Sequence, residues 1–409
     1  MSTKISTLFT ILILVSTGCH HNMGTEPVPK DIVMTPKSLS LVSAGNSFTF
    51  NLFSKIPDSQ GHNVMVSPLS ISLALSMTLN GAAGSTKDAI INTLGLTGLS
   101  LDEINQTYLD LISALEVADS KVVMDIANSI WIKKSYPVLD SFITVNQKYY
   151  DARVEALDFD QTALLTINNW VNAKTNGKIP TILDKISNNE IMFLINAIYF
   201  NGKWKVQFAK ANTINGSFTL GSGSSANVPL MKVKDQFGYT QQSGYKALRM
   251  PYGRGKFSMV LLLPDAGKTP DQLIGQLNPS VWAEIKTSLA LPQMVDVWLP
   301  RFTFNWESDL NDILSSLGMS VAFSDTQANF SKINPNDQLF ISKVKHKTYI
   351  QVDEEGTEAA AVTSVGIATA SAGPETEFYA IRPFLFFITE GDTGAILFAG
   401  KVENPLLTN

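Results

Sequence analysis

Apolar positions along the chain follow two different periods. Between Ala44 and Lys55, Phe48, Leu52 and Phe53 recur near helical spacing. Ser67–Asn80 carries Leu69, Leu73, Leu75, Met77 and Leu79 behind Ser67-Pro68. A proline in the first turn of a helix costs no hydrogen bond, because that N–H has no partner there anyway. Gly81 and Gly84 then read as stop signals. Later the pattern changes. Ile191–Phe200 is a near-continuous apolar run, as expected of a strand covered on both faces. Phe257–Leu263 ends at Pro264, Val295–Phe304 alternates as one strand, and Leu339–Val352, Pro383–Ile388 and Ile396–Val402 are further β runs. Helical patterns first and strands later predict an α+β fold. No internal repeat of about 20–50 residues is visible.

The first residues stand apart. Leu8 to Val15 is apolar except for Thr10 and follows Lys4. A run that short cannot cross a hydrocarbon core about 30 Å thick, which needs about 20 residues; it matches the apolar region of a secretory signal. Val15-Ser16-Thr17-Gly18-Cys19 resembles a bacterial lipobox, with Ser16 where Leu is commoner. The alternative is a plain signal peptide with an incidental cysteine. The lipobox resemblance implies residues 1–18 as a signal peptide and Cys19 as the lipidation site. The chain is then exported and acyl-anchored to a bacterial membrane, at the outer membrane or cell surface. Residues 19–38 hold three prolines and little periodicity, and read as a lipidated tether. From Leu39 to Pro405 no linker-like shift occurs, so residues 39–409 are expected to form one domain.

Composition narrows the function classes. Of 409 residues, 44% are apolar and 16% charged, which excludes a disordered chain. The net charge of −5 gives no electrostatic footprint for nucleic acid. Cys19 is the only cysteine, so no disulfide framework, zinc ribbon or iron–sulfur cluster can form within the chain. No nucleophile elbow, Walker loop or paired-histidine zinc motif occurs. Gly221–Ala226 loosely fits a dinucleotide fingerprint, but its polar, extended flanks suit a loop. His20 and His21 lack further converging ligands and read as solvated linker. No metal, no cofactor and no enzyme activity are expected.

One stretch is unusual. From Gln351 to Pro374, a long segment without aromatic side chains separates two β runs. Read from residues alone, it is an exposed loop, a short Ala-rich helix over Glu358–Ala361, or a loop able to become a strand. In the last case Thr357, Ala359, Ala361, Thr363, Val365 and Ile367 share one uncharged face. That face can pack on a core without burying a carboxylate.

Five ordered segments carry a family resemblance. Asp353-Glu-Glu-Gly-Thr-Glu-Ala-Ala-Ala361 resembles the hinge of an inhibitory serpin. Asn63–Ser72, Asn168–Pro180, Asn196–Trp204 with Phe208, and Arg382–Ile388 with Leu397–Val402 are similar to four other signatures of that family, in its order. The resemblance implies three β-sheets, about nine helices and an exposed reactive-centre loop. It implies a bait for serine proteases and some cysteine proteases, with the acyl-enzyme trapped by insertion of the cut loop into the large sheet. By residue, it implies a hinge at Glu354, Glu355, Gly356, Thr357, Glu358, Ala359, Ala360 and Ala361. A polar shutter is implied at Ser67, Ser70, Asn196 and His346, and a breach at Trp204, Arg301 and Glu354, with Glu354 paired to Arg301. The family's loop spacing puts the scissile bond at Ala370–Ser371, with Ile367–Ala368 and Ala368–Thr369 as alternatives. Small residues there suit elastase-like or subtilisin-like pockets. The expected state is a monomer; the alternative function is a non-inhibitory serpin serving as a binding or carrier module.

Overall fold

The structure is a computed structural model that describes residues 29–56, 61–187, 189–357 and 376–408. The N-terminal part is helical. α1 (Pro36–Phe53) begins earlier than periodicity suggests, inside the segment read as tether. The cause is local: the Thr35 side chain accepts from the Ser38 N–H, and Pro36 occupies the first turn. After β1 (Val64–Val66), α2 (Pro68–Leu79) is capped by Ser67 and ends at Asn80, as expected. Gly84 does not stop that helix; it opens α3 (Gly84–Leu94) at a positive φ of 53°. α4 (Leu101–Val117) starts on a Ser100/Glu103 capping box. β2 (Val122–Lys133), α5 (Asp140–Tyr150), β3 (Arg153–Leu157) and α6 (Gln161–Lys174) lead to β4 (Met192–Lys203).

The remainder is mostly β: β5 (Ile214–Thr219), β6 (Ser225–Gln242), β7 (Tyr245–Pro251), β8 (Phe257–Pro264), α7 (Pro270–Ile274), α8 (Pro279–Ser288), β9 (Pro292–Pro300), β10 (Phe302–Asp309) and α9 (Asn311–Leu314). β11 (Lys345–Val352), β12 (Gly356–Thr357), β13 (Thr376–Tyr379), β14 (Phe384–Glu390) and β15 (Ile396–Val402) follow. The single alternating run expected over Val295–Phe304 is two strands. Pro300 supplies no N–H, the Arg301 N–H turns to the Pro229 carbonyl at 2.9 Å, and the chain changes sheets there.

Two hydrogen-bonded sheets result among the described residues. One runs β10-β11-β12-β4-β2-β3. The other runs β1-β15-β14-β8-β7-β6-β9-β13, with β5 on β6. It is one sheet rather than two because the long β6 pairs β9 along one half and β7 along the other. β4 is covered on both faces, as its apolar run predicts. Ile195 and Ala197 pack with Trp131, Ile167 and Trp170 beneath α6. Phe200 faces the main core, edge-on to Tyr252, Phe257 and Phe398.

Candidate functional site: a hinge seated between two strands

β11 ends at Val352, and Asp353 reverses the chain. Its carboxylate accepts from the Glu355 N–H (2.9 Å) and the Gly356 N–H (3.3 Å), and its own N–H donates to the Gly356 carbonyl (3.0 Å). The turn returns Gly356 and Thr357 antiparallel to β11. There Thr357 lies opposite Val352 on one side and Gly202 of β4 on the other, and Gly356 lies opposite Lys203. Gly356 fits because it has no side chain: a Cβ there would lie 2.2 Å from the Gly202 carbonyl oxygen and 2.6 Å from the Lys203 Cα. Among the described residues, β12 alone pairs with both β11 and β4.

The strap of residues after β4 holds this turn. The Trp204 N–H donates to the Glu355 carbonyl (2.8 Å), the Phe208 N–H to the Glu354 carbonyl (2.9 Å), and the Trp204 indole N–H to the Asp353 carbonyl (3.0 Å). Three successive carbonyls are therefore satisfied from one short segment, which leaves little freedom to residues 353–355. The Glu354 side chain is 2% exposed. One of its oxygens accepts from Arg301 at 2.5 Å and from the Thr213 hydroxyl at 2.7 Å. Burial raises the pKa of this carboxyl, but the bonds from Arg301 and Thr213 outweigh it and hold it below the usual carboxylate value. Glu355 accepts from Lys210 at 2.7 Å through one oxygen, while its other oxygen is buried without a partner. The Thr357 hydroxyl lies 2.7 Å from the Tyr252 hydroxyl, and Tyr252 stacks on Trp204 at 4.4 Å and 11°. Burial pushes the Tyr252 hydroxyl pKa well up, so the group remains protonated.

Beneath the sheet lies a polar cluster. The Ser67 N–H donates to His346 Nε2 (3.0 Å), the Ser67 hydroxyl to the Leu397 carbonyl (2.9 Å), and the Ser70 N–H to the Ser67 hydroxyl (3.3 Å). Burial lowers the His346 pKa to about 4, so the ring is neutral and its nitrogen accepts. Asn196 does not bond to this cluster. Its amide donates to the Asn128 side chain at 2.7 Å, and its carbonyl oxygen is buried with no partner.

Sequence reasoning placed Glu354, Glu355, Gly356, Thr357, Trp204 and Arg301 together, and the structure brings them to one place. It also brings Ser67, Ser70 and His346 together and leaves Asn196 bonded elsewhere. Glu358, Ala359, Ala360, Ala361, Ile367, Ala368, Thr369, Ala370, Ser371 and Cys19 lie outside the described residues. Tyr252, Thr213 and Lys210 were not anticipated, and Asp353 was anticipated only as the first residue of the hinge segment. Only Asp353, directly before Glu-Glu-Gly, carried a local turn signal. No group of three or more His, Cys, Asp or Glu side chains suited to a metal occurs among the described residues.

A hinge turned back between two strands, above a polar cluster, is the arrangement of a serpin. The chain matches the serpin (serine protease inhibitor) family over residues 43–405 and belongs to that family. It is 34% identical over 379 residues to human leukocyte elastase inhibitor, covering 89% of this chain and 99% of that one. Its structure superposes on tengpin, a thermophilic serpin in the native state, with a TM-score of 0.84 and 32% identity, covering 92% of this chain and 96% of that one. Human thyroxine-binding globulin bound to thyroxine is similar too, at a TM-score of 0.82 and 29% identity, covering 91% of this chain and all of that one. The family is one of protease inhibitors rather than enzymes, and its α+β fold is the one described above.

Proposed function

We infer that this serpin inhibits serine proteases with shallow apolar pockets, of the elastase or subtilisin kind, by a suicide-substrate route. The protease serine attacks the Ala370 carbonyl, the Ser371 amine leaves with a proton, and the loop remains esterified to the enzyme. The freed loop then inserts between β11 and β4, drags the protease with it, and distorts the site that would hydrolyse the ester. Ala368–Thr369 and Ile367–Ala368 are the alternative bonds. Cys19 anchors the protein by acyl chains outside the cell, where it shields its owner from foreign proteases.

The seating of Gly356 and Thr357 between β11 and β4 carries this reading, because it is the first step of that insertion. Continued in the same register, an inserting strand brings Thr363 opposite Asn196 on one side and His346 on the other. Thr357 is buried, so the same alternation turns Ala359, Ala361 and Thr363 inward. About ten new backbone hydrogen bonds at roughly 1 kcal/mol each favour the inserted state, so the uncut form is held kinetically.

The carrier alternative has support in the likeness to thyroxine-binding globulin. Against it stands the small uncharged hinge face, which favours insertion. Mixing the protein with pancreatic elastase and running a denaturing gel separates the two readings. A band at the summed mass that survives boiling is expected. Cleavage with no such band overturns inhibition.

A further inference from the structure

The residues just before α1 are gripped by the body of the protein. The Asp31 carboxylate pairs with the Lys256 ammonium, which also pairs with Asp392 at 2.7 Å. The Ile32 N–H donates to the same Asp392 carboxylate at 2.9 Å. Ile32 and Met34 pack their side chains partly against the core. The Lys256 side chain is only 13% exposed, so its charge depends on these two carboxylates. Asp31 itself is 87% exposed and is bound to the body through this contact.

Lys256 occupies a particular place. It closes the turn between β7 and β8, in which the Tyr252 N–H donates to the Phe257 carbonyl (2.8 Å) and the Gly255 N–H to the Tyr252 carbonyl (2.7 Å). Tyr252 is the residue that bonds to Thr357 and stacks on Trp204. The Gly253 N–H donates to the Lys203 carbonyl at 2.7 Å, so the turn is also tied to the end of β4 where the hinge pairs. Gly253 and Gly255 have φ of 49° and 104°. Two such glycines make the turn intrinsically pliable, and tertiary grips then set its shape. The Arg254 N–H to Asp119 (2.7 Å) is one grip, the Gly391 N–H to the Lys256 carbonyl (2.7 Å) a second, and the Asp31–Ile32 strap the third.

We propose that residues Asp31–Met34 are a strap coupling the N-terminal tether to the hinge, through Lys256, the β7–β8 turn and Tyr252. With the strap seated, the turn holds Tyr252 against Thr357 and Trp204. With it released, Tyr252 loosens and the hinge exchanges more freely between its slot and solvent. Only the consequence for inhibition rests on the function inferred above; the coupling itself does not.

Hydrogen exchange on the full-length protein tests the coupling without any protease. Asp31→Ala removes the ion pair at an exposed position, and Ile32→Pro removes the N–H donor while leaving Asp392 intact. In the double variant, peptides covering residues 203–209 and 345–357 should exchange about five- to tenfold faster, while α4 exchanges as in the parent. Unchanged exchange at the hinge overturns the proposal. So does an equal rise in α4, which makes the strap a contributor to global stability only. The Asp31→Ala variant alone should give a smaller hinge effect of the same sign; no effect from it takes Lys256 out of the path and overturns the coupling as proposed.

Discussion

Glu354 and Arg301 meet at 2.5 Å, the one almost wholly buried at the end of the hinge turn and the other at the point where the chain passes from β9 to β10. The pair ties the hinge to the start of β10, the outermost strand of the sheet in which the hinge is seated. A hydrogen bond to a charged group contributes about 1.5–3 kcal/mol. Arg301→Ala leaves Glu354 without its charged partner. If that grip is relaxed at the barrier, the uncut protein should insert its loop spontaneously about 10- to 100-fold faster. The rate is read as the appearance of a heat-resistant, non-inhibitory form during warm incubation. A rate equal to the parent's means the pair does not restrain the hinge.

Gly356→Ala acts on the same turn by a different route. The added methyl would lie 2.2 Å from the Gly202 carbonyl oxygen, and backbone cannot swing aside as a flexible side chain can. The hinge should leave its seat, losing the pairing of Gly356 with Lys203 and Thr357 with Gly202. Insertion after cleavage then slows relative to ester hydrolysis, and the variant turns over as substrate. The ratio of cleaved protein to boiling-resistant complex should rise several-fold. An unchanged ratio shows that the seat is not on the path to insertion.

What was legible in the sequence was local. Ser67-Pro68 marks the start of α2 because cap and proline act within one turn. Asp353 marks a turn because its carboxylate needs only the N–H groups two and three residues on, whereas Gly356 answers to Gly202 and Lys203 across the fold. Contacts that cross the fold left no such trace. Tyr252 meets Thr357 across 105 positions, and Thr213 meets Glu354 across 141, with no periodicity linking them. The grouping of Trp204, Arg301 and Glu354 came from family resemblance, since no spacing rule connects them. The β9–β10 boundary did leave a mark that the single-strand reading passed over: buried positions are odd-numbered up to Leu299 and even-numbered from Pro300, and that change of phase is where the chain changes sheets. Asn196 shows the converse: its position was anticipated, but its partner in the uncut protein is Asn128.

His346 should make the fold acid-sensitive in a defined window. Its folded pKa of about 4 lies below the ordinary 6.5, because burial penalises the charged ring. Between those values the unfolded chain binds a proton that the folded chain does not. The contribution of this group is therefore complete above pH 6.5, is lost as pH falls toward 4, and changes no further below it. The loss is on the order of 3 kcal/mol at most. Urea midpoints across this window should fall more steeply for the parent than for His346→Gln, which cannot titrate. Parallel curves for the two proteins assign the acid sensitivity to other groups.

Thr363 offers a test of insertion depth that leaves the uncut protein alone. In the register set by Thr357, an inserted Thr363 comes between Asn196 and His346, and its hydroxyl can donate to the Asn196 oxygen that otherwise lacks a partner. Thr363→Val keeps the shape and removes the donor. The cleaved form should lose about 1–2 kcal/mol, seen as a lower guanidinium midpoint, while the intact form unfolds as before. Thr363→Lys would place an ammonium in the same buried position, which should stop insertion partway and leave the cut protein near its uncut thermal stability. If both variants gain heat resistance on cleavage as fully as the parent, the loop does not enter between β11 and β4 in this register, and the inhibitory mechanism inferred from the seated hinge loses its support.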